Sequence, residues 1–174
     1  MYLISIYFDE GTEYKFRGYM KQIAKHTKNT TMLEGNVPPH ITIGAFRAET
    51  EMIAREIFHG ITRQVSKGEV HWVTIGSFLP GVIYVSPILN EYLQQLSDIN
   101  KKELNKKESI WTDQRYEPFS WYPHTTLGKK MTKEQLITAF QVLQNQFAPF
   151  IGKVVRIGLA ATNPYRDLEI YELK

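Results

Sequence analysis

The sequence P-H-T-T-L-G at residues 123–128 decides how the chain is interpreted, and P-H-I-T-I-G at residues 39–44 repeats it. Both segments read P-H-x-T-x-G, and their histidines, His40 and His124, lie nearly half of the 174-residue chain apart. One H-x-T triplet carries little information, but two copies with matching proline and glycine form a specific motif. The pair indicates an internal duplication or a shared geometry.

The repeat extends beyond the two motifs. Hydrophobic periodicity predicts the order helix, motif strand, helix, strand, strand twice, and Ile75-Gly76 in the first copy matches Ile157-Gly158 in the second. We therefore expect an α+β fold of two pseudo-symmetric lobes, each with an antiparallel sheet and outer helices, which enclose a central cleft. A single domain, residues 1–174, contains both lobes, and the repeats span approximately 13–86 and 88–173.

Local signals predict several boundaries of helices and loops. Thr132-x-x-Gln135 is a capping box, and Ser86-Pro87 reads as an N-cap followed by proline in the first turn of a helix. Residues 28–38 are polar and predict a loop. The segment Ser109 to Tyr122 is rich in aromatic residues without a clear period, and we interpret it as a lid or specificity loop.

The composition describes an ordinary globular protein. The chain is 43% hydrophobic and 22% charged, and its net charge of +3 is compatible with a phosphate-bearing ligand without demanding extended nucleic-acid binding. The absence of cysteine excludes disulfides, thiol nucleophiles and cysteine-bound metals. The amino-terminal residues read as a strand, and no apolar run approaches the roughly 20 residues that span a bilayer. We expect a cytoplasmic monomer that does not bind membranes.

Strand geometry brings the polar residues of each motif together. Alternate residues of a strand share a face, so His40 and Thr42 point in one direction, as do His124 and Thr126, while the residues between them face the helices. Each lobe then offers one imidazole and one hydroxyl on a face that core packing does not need. A pseudo-twofold axis would bring the two faces together in one cleft.

Such a site suits in-line displacement at phosphorus. One neutral histidine can remove a proton from the attacking water while the other, protonated, delivers a proton to the leaving oxygen. The threonine hydroxyls can hydrogen-bond the non-bridging oxygens, whose charge must be held in the transition state. Near-symmetric motifs leave open which histidine is the base and which is the acid.

Other interpretations of the motifs are weaker. A single H-x-T is most simply a strand histidine bonded to a threonine, but the paired motif makes that interpretation improbable. Two histidines without convergent carboxylates or an H-E-x-x-H pattern are a weak metal site, so we expect no metal. The sequence also has no glycine-rich phosphate loop and no nucleophilic-serine elbow.

On these two hexapeptides and the repeated element order, the chain resembles the two-histidine (2H) phosphoesterase superfamily, in particular its members called 2′-5′ RNA ligase-like or RNA cyclic phosphodiesterase. The resemblance implies a hydrolase without metal or cofactor that opens 2′,3′-cyclic phosphates or cleaves 2′-5′ linkages in RNA ends or small nucleotides. By motif match, His40 and His124 take the catalytic positions, and Thr42 and Thr126 the phosphate-binding positions.

The same alternation suggests further cleft residues. Ile83 and Val85 are expected to face the core, which turns Tyr84 towards the cleft. Tyr122 lies two residues before His124 and therefore on the same side of the strand. The rings of Tyr84 and Tyr122 could stack on a nucleotide base. Arg115 lies in the aromatic segment and could bind the substrate. Weaker cleft candidates are Trp72, Thr74, Phe78 and Arg156, and the core-side parity of His71 excludes it.

Two rival functions remain open. A nucleotide- or RNA-binding module could keep the cleft without turnover, which the intact paired motifs disfavour. An RNA 2′-5′ end-joining enzyme would use the same site in reverse, although the equilibrium in water favours hydrolysis.

Overall fold

The computed structural model describes residues 1–35, 37–107 and 110–174. Helices alternate with antiparallel strands along the chain, as the sequence predicts for an α+β protein. The elements are β1 (Tyr2–Phe8), α1 (Glu10–Thr27), α2 (Thr31–Glu34), β2 (His40–Arg47), α3 (Glu51–Thr62), β3 (Gly68–Phe78), β4 (Val82–Pro87), α4 (Glu91–Leu104), β5 (Trp111–Thr112), a short 3-10 helix (Gln114–Tyr116), β6 (Thr125–Gly128), α5 (Lys133–Gln146), β7 (Phe150–Ala161) and β8 (Arg166–Glu172).

The strands form one continuous sheet in the order β5-β2-β1-β7-β3-β4-β6, with β8 also paired to β7. Strand β1 lies between β2 and β7, and β4 lies between β3 and β6. Each half of the sheet therefore contains strands from both halves of the chain. The boundaries 13–86 and 88–173 for the two lobes remain a prediction.

The strand register repeats between the two halves of the sheet. Thr42 lies opposite Ser5, which in turn lies opposite Gly158 of β7. In the other half, Thr126 lies opposite Tyr84, which lies opposite Gly76 of β3. This register agrees with the predicted match of Gly76 to Gly158. We infer from it a repeated unit of β1-α1-β2-α3-β3 followed by β4-α4-β6-α5-β7, which begins before residue 13 and assigns β4 to the second copy.

Side-chain caps fix where most helices begin. Asp9, Thr50 and Asn90 accept hydrogen bonds from backbone amides in the first turns of α1, α3 and α4. The capping box predicted for α5 is present, with Thr132 and Gln135 each bonding the backbone of the other. These caps satisfy amides that have no partner within the helix.

The predicted helix start at Ser86-Pro87 is wrong. Strand β4 continues through Pro87, and α4 begins at Glu91 behind the Asn90 cap. The Ser86 hydroxyl donates to the carbonyl of Pro123 at 3.1 Å, so it bonds the chain before the second motif rather than a helix. The segment 28–38, predicted to be a loop, contains the one-turn helix α2.

An aromatic cluster fills the core between the sheet and α1. Trp72 is fully buried, with its ring centroid 5.0 Å from those of Phe8 and Phe16 and 5.2 Å from that of Phe150. Burying a large aromatic side chain contributes roughly 1.5–3 kcal/mol, so this cluster is a main stabilising feature of the fold.

In the part of the chain that the structure describes, no helix combines the length and the apolar character needed to cross a bilayer.

Candidate functional site

The two motif strands place their polar residues on one face of the sheet. Ile41, Ile43, Thr125 and Leu127 are at most 1% exposed and belong to the helix side. The histidine of each motif and the threonine two residues after it, Thr42 or Thr126, are partly exposed. This is the alternation that the sequence predicts for a half-buried strand. Strands β2 and β6 approach each other across the sheet. The indole Nε1 of Trp121, in the segment before β6, donates to the carbonyl of Thr42 in β2 at 3.0 Å.

Both histidine rings are oriented by the same hydrogen bond. His40 Nδ1 lies 2.8 Å from the carbonyl oxygen of Pro38, and His124 Nδ1 lies 2.8 Å from that of Tyr122. Because a carbonyl oxygen only accepts, each Nδ1 must carry a proton. The neutral rings therefore keep Nε2 unprotonated, and Nε2 is the nitrogen available for proton transfer.

Burial lowers the pKa of both histidines. For His40 the hydrogen bond to Pro38 opposes this shift, and nearby positive charge at His124 and Lys129 adds to it. For His124 the hydrogen bond to Tyr122 is the opposing influence. His124 is thus one of the charges that affect the pKa of His40. An anion bound between them would raise both pKa values and favour protonation of one ring.

The two motif threonines differ in their surroundings. Thr42 Oγ1 lies 3.2 Å from the hydroxyl of Ser5 on the neighbouring strand. Thr126 occupies the equivalent place opposite Tyr84, which is only 6% exposed. Each hydroxyl lies on the face that carries the histidine two residues earlier.

Aromatic side chains surround His124. The ring centroid of Phe78 lies 4.8 Å from that of His124, and the Tyr84 centroid lies 5.3 Å away. Tyr84 also packs against Phe78 at 4.4 Å and against Tyr122 at 5.8 Å. Burial raises the pKa of Tyr84 to about 12, so this phenol stays protonated at neutral pH. Tyr122 is 47% exposed and presents part of its ring to the cleft.

A cavity of about 490 Å³ opens beside this aromatic cluster; its lining comprises Phe78, Arg115, Tyr116, Ser120, Trp121, Tyr122 and His124. Arg115 lies at its rim, and its Nη2 pairs with Asp113 at 2.6 Å. The structure thus brings Tyr84, Tyr122 and Arg115 to the His124 side of the cleft. The part of the aromatic segment that lines this cavity lies within residues 110–122, and Ser109 lies outside the described residues.

The prediction for Trp72 is wrong, and a β-bulge explains why. The register between β3 and β4 shifts between Trp72 and Thr74, so the alternation of inward and outward residues changes there. Trp72 consequently faces the core, while Phe78 faces the cleft. Because of the same shift, the predicted alternation does not hold for His71 either. His71 was predicted to face the core, but it is partly exposed and lies on the face opposite Trp72.

Several polar residues beside His40 were not predicted. Tyr7 lies opposite His40, with ring centroids 6.1 Å apart, and Asp167 and Tyr165 lie near Tyr7. Ser5 and Tyr7 share the face of β1 opposite the core residues, so strand parity could have found them. No local pattern marks Tyr165 or Asp167, which come from the turn and strand at the end of the chain.

Arg156, a weaker cleft candidate, lies opposite Tyr7 on β7. Its Nη2 contacts the carbonyl of Phe8 at 3.3 Å and the carboxylate of Glu13 at 3.4 Å. Its charge is therefore partly balanced within the protein. Among the described residues, no group of three or more His, Asp or Glu side chains converges as a metal site would require.

Two H-x-T strands that face one cleft on an antiparallel sheet with outer helices define the class of two-histidine phosphoesterases. The sequence matches the model of the 2′-5′ RNA ligase superfamily over residues 15–165, and the chain belongs to that superfamily. No curated protein matches the chain by sequence.

Solved structures share the fold at low sequence identity. A crystal structure of Escherichia coli LigT complexed with 3′-AMP is 12% identical, with a TM-score of 0.66 and coverage of 99% of this chain and 97% of LigT. A crystal structure of a phosphoesterase is 15% identical, with a TM-score of 0.61 and the same two coverages. LigT complexed with ATP is 14% identical, with a TM-score of 0.58, and again covers 99% and 97% of the two chains.

Proposed function

We propose that the protein is a metal-independent phosphodiesterase that hydrolyses 2′,3′-cyclic phosphate or 2′-5′ phosphodiester bonds of RNA ends or small nucleotides. The observation that carries this proposal is the matched pair of Nδ1–carbonyl hydrogen bonds at His40 and His124, each 2.8 Å long. Two imidazoles with fixed tautomers and available Nε2 atoms are what in-line acid–base catalysis at phosphorus needs.

In the proposed reaction, the Nε2 atom of one neutral histidine accepts a proton from water as the water oxygen bonds to phosphorus. The bond from phosphorus to the leaving oxygen (2′ or 3′ in a cyclic phosphate, 2′ or 5′ in a 2′-5′ linkage) breaks, and Nε2 of the protonated second histidine donates its proton to that oxygen. The product phosphate and the free hydroxyl then leave, and one proton exchange with solvent restores the starting protonation states. Each acid or base role is worth typically about 10²- to 10⁴-fold.

The remaining polar groups suit the charge of the transferred phosphate. Thr42 and Thr126 have hydroxyl donors on the cleft face, where they can bond the non-bridging oxygens. Lys129 directly follows the second motif, and its positive charge suits an anionic substrate. The roles of His40, His124, Thr42 and Thr126 in this reaction are part of the proposal.

A nucleotide substrate agrees with the surroundings of the site. Tyr122 presents an aromatic face and Arg115 a guanidinium at the cavity beside His124, a combination that can stack a base and balance a phosphate. LigT, which shares the fold, has been crystallised with 3′-AMP, with NADP+ and with ATP. These complexes support a nucleotide or RNA end as the ligand of this cleft.

The test is a turnover assay of the purified protein with 2′,3′-cyclic nucleotides and 2′-5′ oligoadenylates, in the presence and absence of EDTA. Activity should survive EDTA, and His40→Ala and His124→Ala should each lower kcat by about 10²- to 10⁴-fold. His26→Ala is a matched control, because His26 also bonds a backbone carbonyl (that of Gln22, at 2.9 Å) but lies on the exposed side of α1. Loss of activity with EDTA, or full activity in either motif variant, would contradict the proposal.

A further inference from the structure

The walls of the cleft differ in chemistry on its two sides. Beside His124 the neighbours are the aromatic rings of Phe78, Tyr84 and Tyr122. Beside His40 the neighbours are hydroxyl and carboxylate groups that the acid–base reaction does not use. This polar wall comprises Ser5, Tyr7, Tyr165 and Asp167.

The ring of Tyr7 connects His40 to the turn between β7 and β8. A Cβ atom on Gly158 would lie 2.7 Å from Tyr7 Cε2 and 3.3 Å from its hydroxyl oxygen, so the ring lies directly over the backbone of β7 at that glycine. Gly158 lies closer along β7 to the turn than Arg156, the residue opposite Tyr7. Tyr7 therefore points its hydroxyl along the cleft face towards Tyr165 and Asp167.

Tyr165 and Asp167 form a hydrogen-bonded pair near the ring of Tyr7. Tyr165 Oη donates to Asp167 Oδ1 at 2.8 Å. Tyr7 is 3% exposed, whereas Tyr165 is 42% exposed and Asp167 is also exposed. The Tyr165–Asp167 pair is thus open to a ligand in the cleft. Asp167 lies opposite Ala160 of β7, which alternates onto the same face as Gly158 and as Arg156, the residue opposite Tyr7.

The chemistry of this group selects the kind of ligand it can bind. A carboxylate repels a phosphate but accepts hydrogen bonds from neighbouring hydroxyls, as acidic residues do when they bind ribose. A nucleoside attached to the phosphate through its 5′-oxygen has a free 2′,3′-diol to offer. A nucleoside 2′,3′-cyclic phosphate has no free diol, because both of those oxygens are bonded to phosphorus.

We propose that Tyr7, Tyr165 and Asp167 form a ribose subsite on the His40 side of the cleft, which binds the 5′-linked nucleoside of a 2′-5′ phosphodiester. The subsite rests on the proposed function, and it decides between the two kinds of substrate that the proposed function includes. The aromatic cavity beside His124 accepts the nucleoside on the other side of the phosphorus. The enzyme thereby prefers 2′-5′-linked oligonucleotides to mononucleoside 2′,3′-cyclic phosphates.

The experiment compares kcat/KM for 2′-5′-linked adenylyl-adenosine and for adenosine 2′,3′-cyclic phosphate, in the wild type and in Asp167→Asn and Tyr165→Phe. Both variants should lose about 10- to 100-fold with the dinucleotide, as expected for a hydrogen bond to a charged group, and stay within about 2-fold with the cyclic phosphate. Tyr14→Phe is the matched control, because Tyr14 is an 80% exposed tyrosine on α1.

A dinucleotide whose 5′-linked nucleoside is 2′,3′-dideoxy tests the contact directly. The wild type should lose about the same factor with this substrate, and Asp167→Asn should cause no further loss, because the hydroxyls and their acceptor act as one interaction. Equal losses on the dinucleotide and the cyclic phosphate, or no loss on either, overturn the subsite while leaving the proposed function intact.

A wild-type protein that turns over neither substrate overturns the proposed function instead. The subsite is then decided by binding of 2′-5′-linked adenylyl-adenosine, measured by titration calorimetry. A Kd that is about 10-fold or more weaker in Asp167→Asn than in the wild type supports the subsite. The same Kd in both proteins overturns it.

Discussion

Thr125 and Thr126 are adjacent in the second motif, yet they have different surroundings. Thr125 is fully buried, and its hydroxyl accepts a hydrogen bond from Trp72 Nε1 at 3.2 Å. Thr126 is partly exposed on the cleft face. The buried position gives the hydroxyl of Thr125 a structural role, and the proposed function assigns phosphate binding to the exposed hydroxyl of Thr126.

Valine substitutions at these two positions should separate stability from activity. Thr125→Val leaves the buried indole N–H without an acceptor, so the free energy of unfolding should fall by about 1–3 kcal/mol while kcat stays near the wild-type value. Thr126→Val should lower kcat by about 10- to 100-fold and change stability by less than about 0.5 kcal/mol. Urea unfolding and steady-state kinetics measure the two effects. The reverse pattern would remove Thr126 from the site.

The two motif histidines should make the fold sensitive to mild acid. Burial lowers the pKa of each in the folded protein, so the unfolded chain, with a histidine pKa of about 6.5, binds protons that the folded chain excludes. The free energy of unfolding is therefore expected to decrease as the pH falls below about 6.5. His40→Gln and His124→Gln should each reduce this slope in urea unfolding measured from pH 8 to pH 5. An unchanged slope in the double variant would contradict the electrostatic description of the site.

Among the elements, β3 and β4 hold His124 in place through one glycine. A Cβ atom on Gly76 would lie 2.5 Å from the ring of Tyr84, and that ring packs against His124. Gly76→Ala should therefore displace Tyr84, destabilise the fold by about 1–3 kcal/mol and lower kcat/KM.

Gly18→Ala is the matched control for this change. Apart from its chain neighbours and the adjacent backbone of α1, nothing lies within 4 Å of a Cβ placed on Gly18. Alanine in a helix is more stable than glycine by roughly 0.5–1 kcal/mol, so this variant should unfold at higher urea concentration and keep full activity. A Gly76→Ala protein that matches Gly18→Ala in both measurements would show that the Tyr84 ring does not support His124.

The helices and the parity of the motif strands could be predicted because they depend on local patterns. The apolar stripe of α3 and the Thr132–Gln135 capping box are contained within a few residues of the chain. Strand alternation likewise placed His40 and His124 beside their threonines. These features need no knowledge of which strand pairs with which.

Other features depend on contacts between distant segments, and the sequence did not reveal them. The bulge after Trp72 arises where β3 passes from its pairing with β7 to its pairing with β4. Ser86 resembles a helix cap, but the carbonyl of Pro123 provides it with a partner 37 positions away. The polar wall beside His40 requires the turn before β8 to lie over Tyr7. Each depends on tertiary pairing, which local periodicity does not report.

At the scale of the whole molecule, the two repeats are interleaved. Strand β1, from the first repeat, pairs with β7 from the second, and β3, from the first repeat, pairs with β4, from the second. Motif strand β2 therefore pairs with β1 of its own repeat, and β1 pairs with β7 of the other repeat. In the same way β6 pairs with β4, and β4 pairs with β3 of the other repeat. Neither repeat can complete its half of the sheet alone.

Interleaving predicts that the protein unfolds in a single step despite its two-lobed repeat. Trp72 lies in β3, Trp111 in β5 and Trp121 in the segment before β6, so the tryptophan fluorescence and the far-UV circular dichroism should give coincident urea transitions. Fragments 1–87 and 88–174 should each remain unfolded, because the first lacks β7, which pairs with β1 and β3, and the second lacks β4, which pairs with β6. Mixing the fragments should restore structure if the strands pair again. Two separate transitions, or a fragment that folds by itself, would instead favour independent lobes bounded near residues 86 and 88.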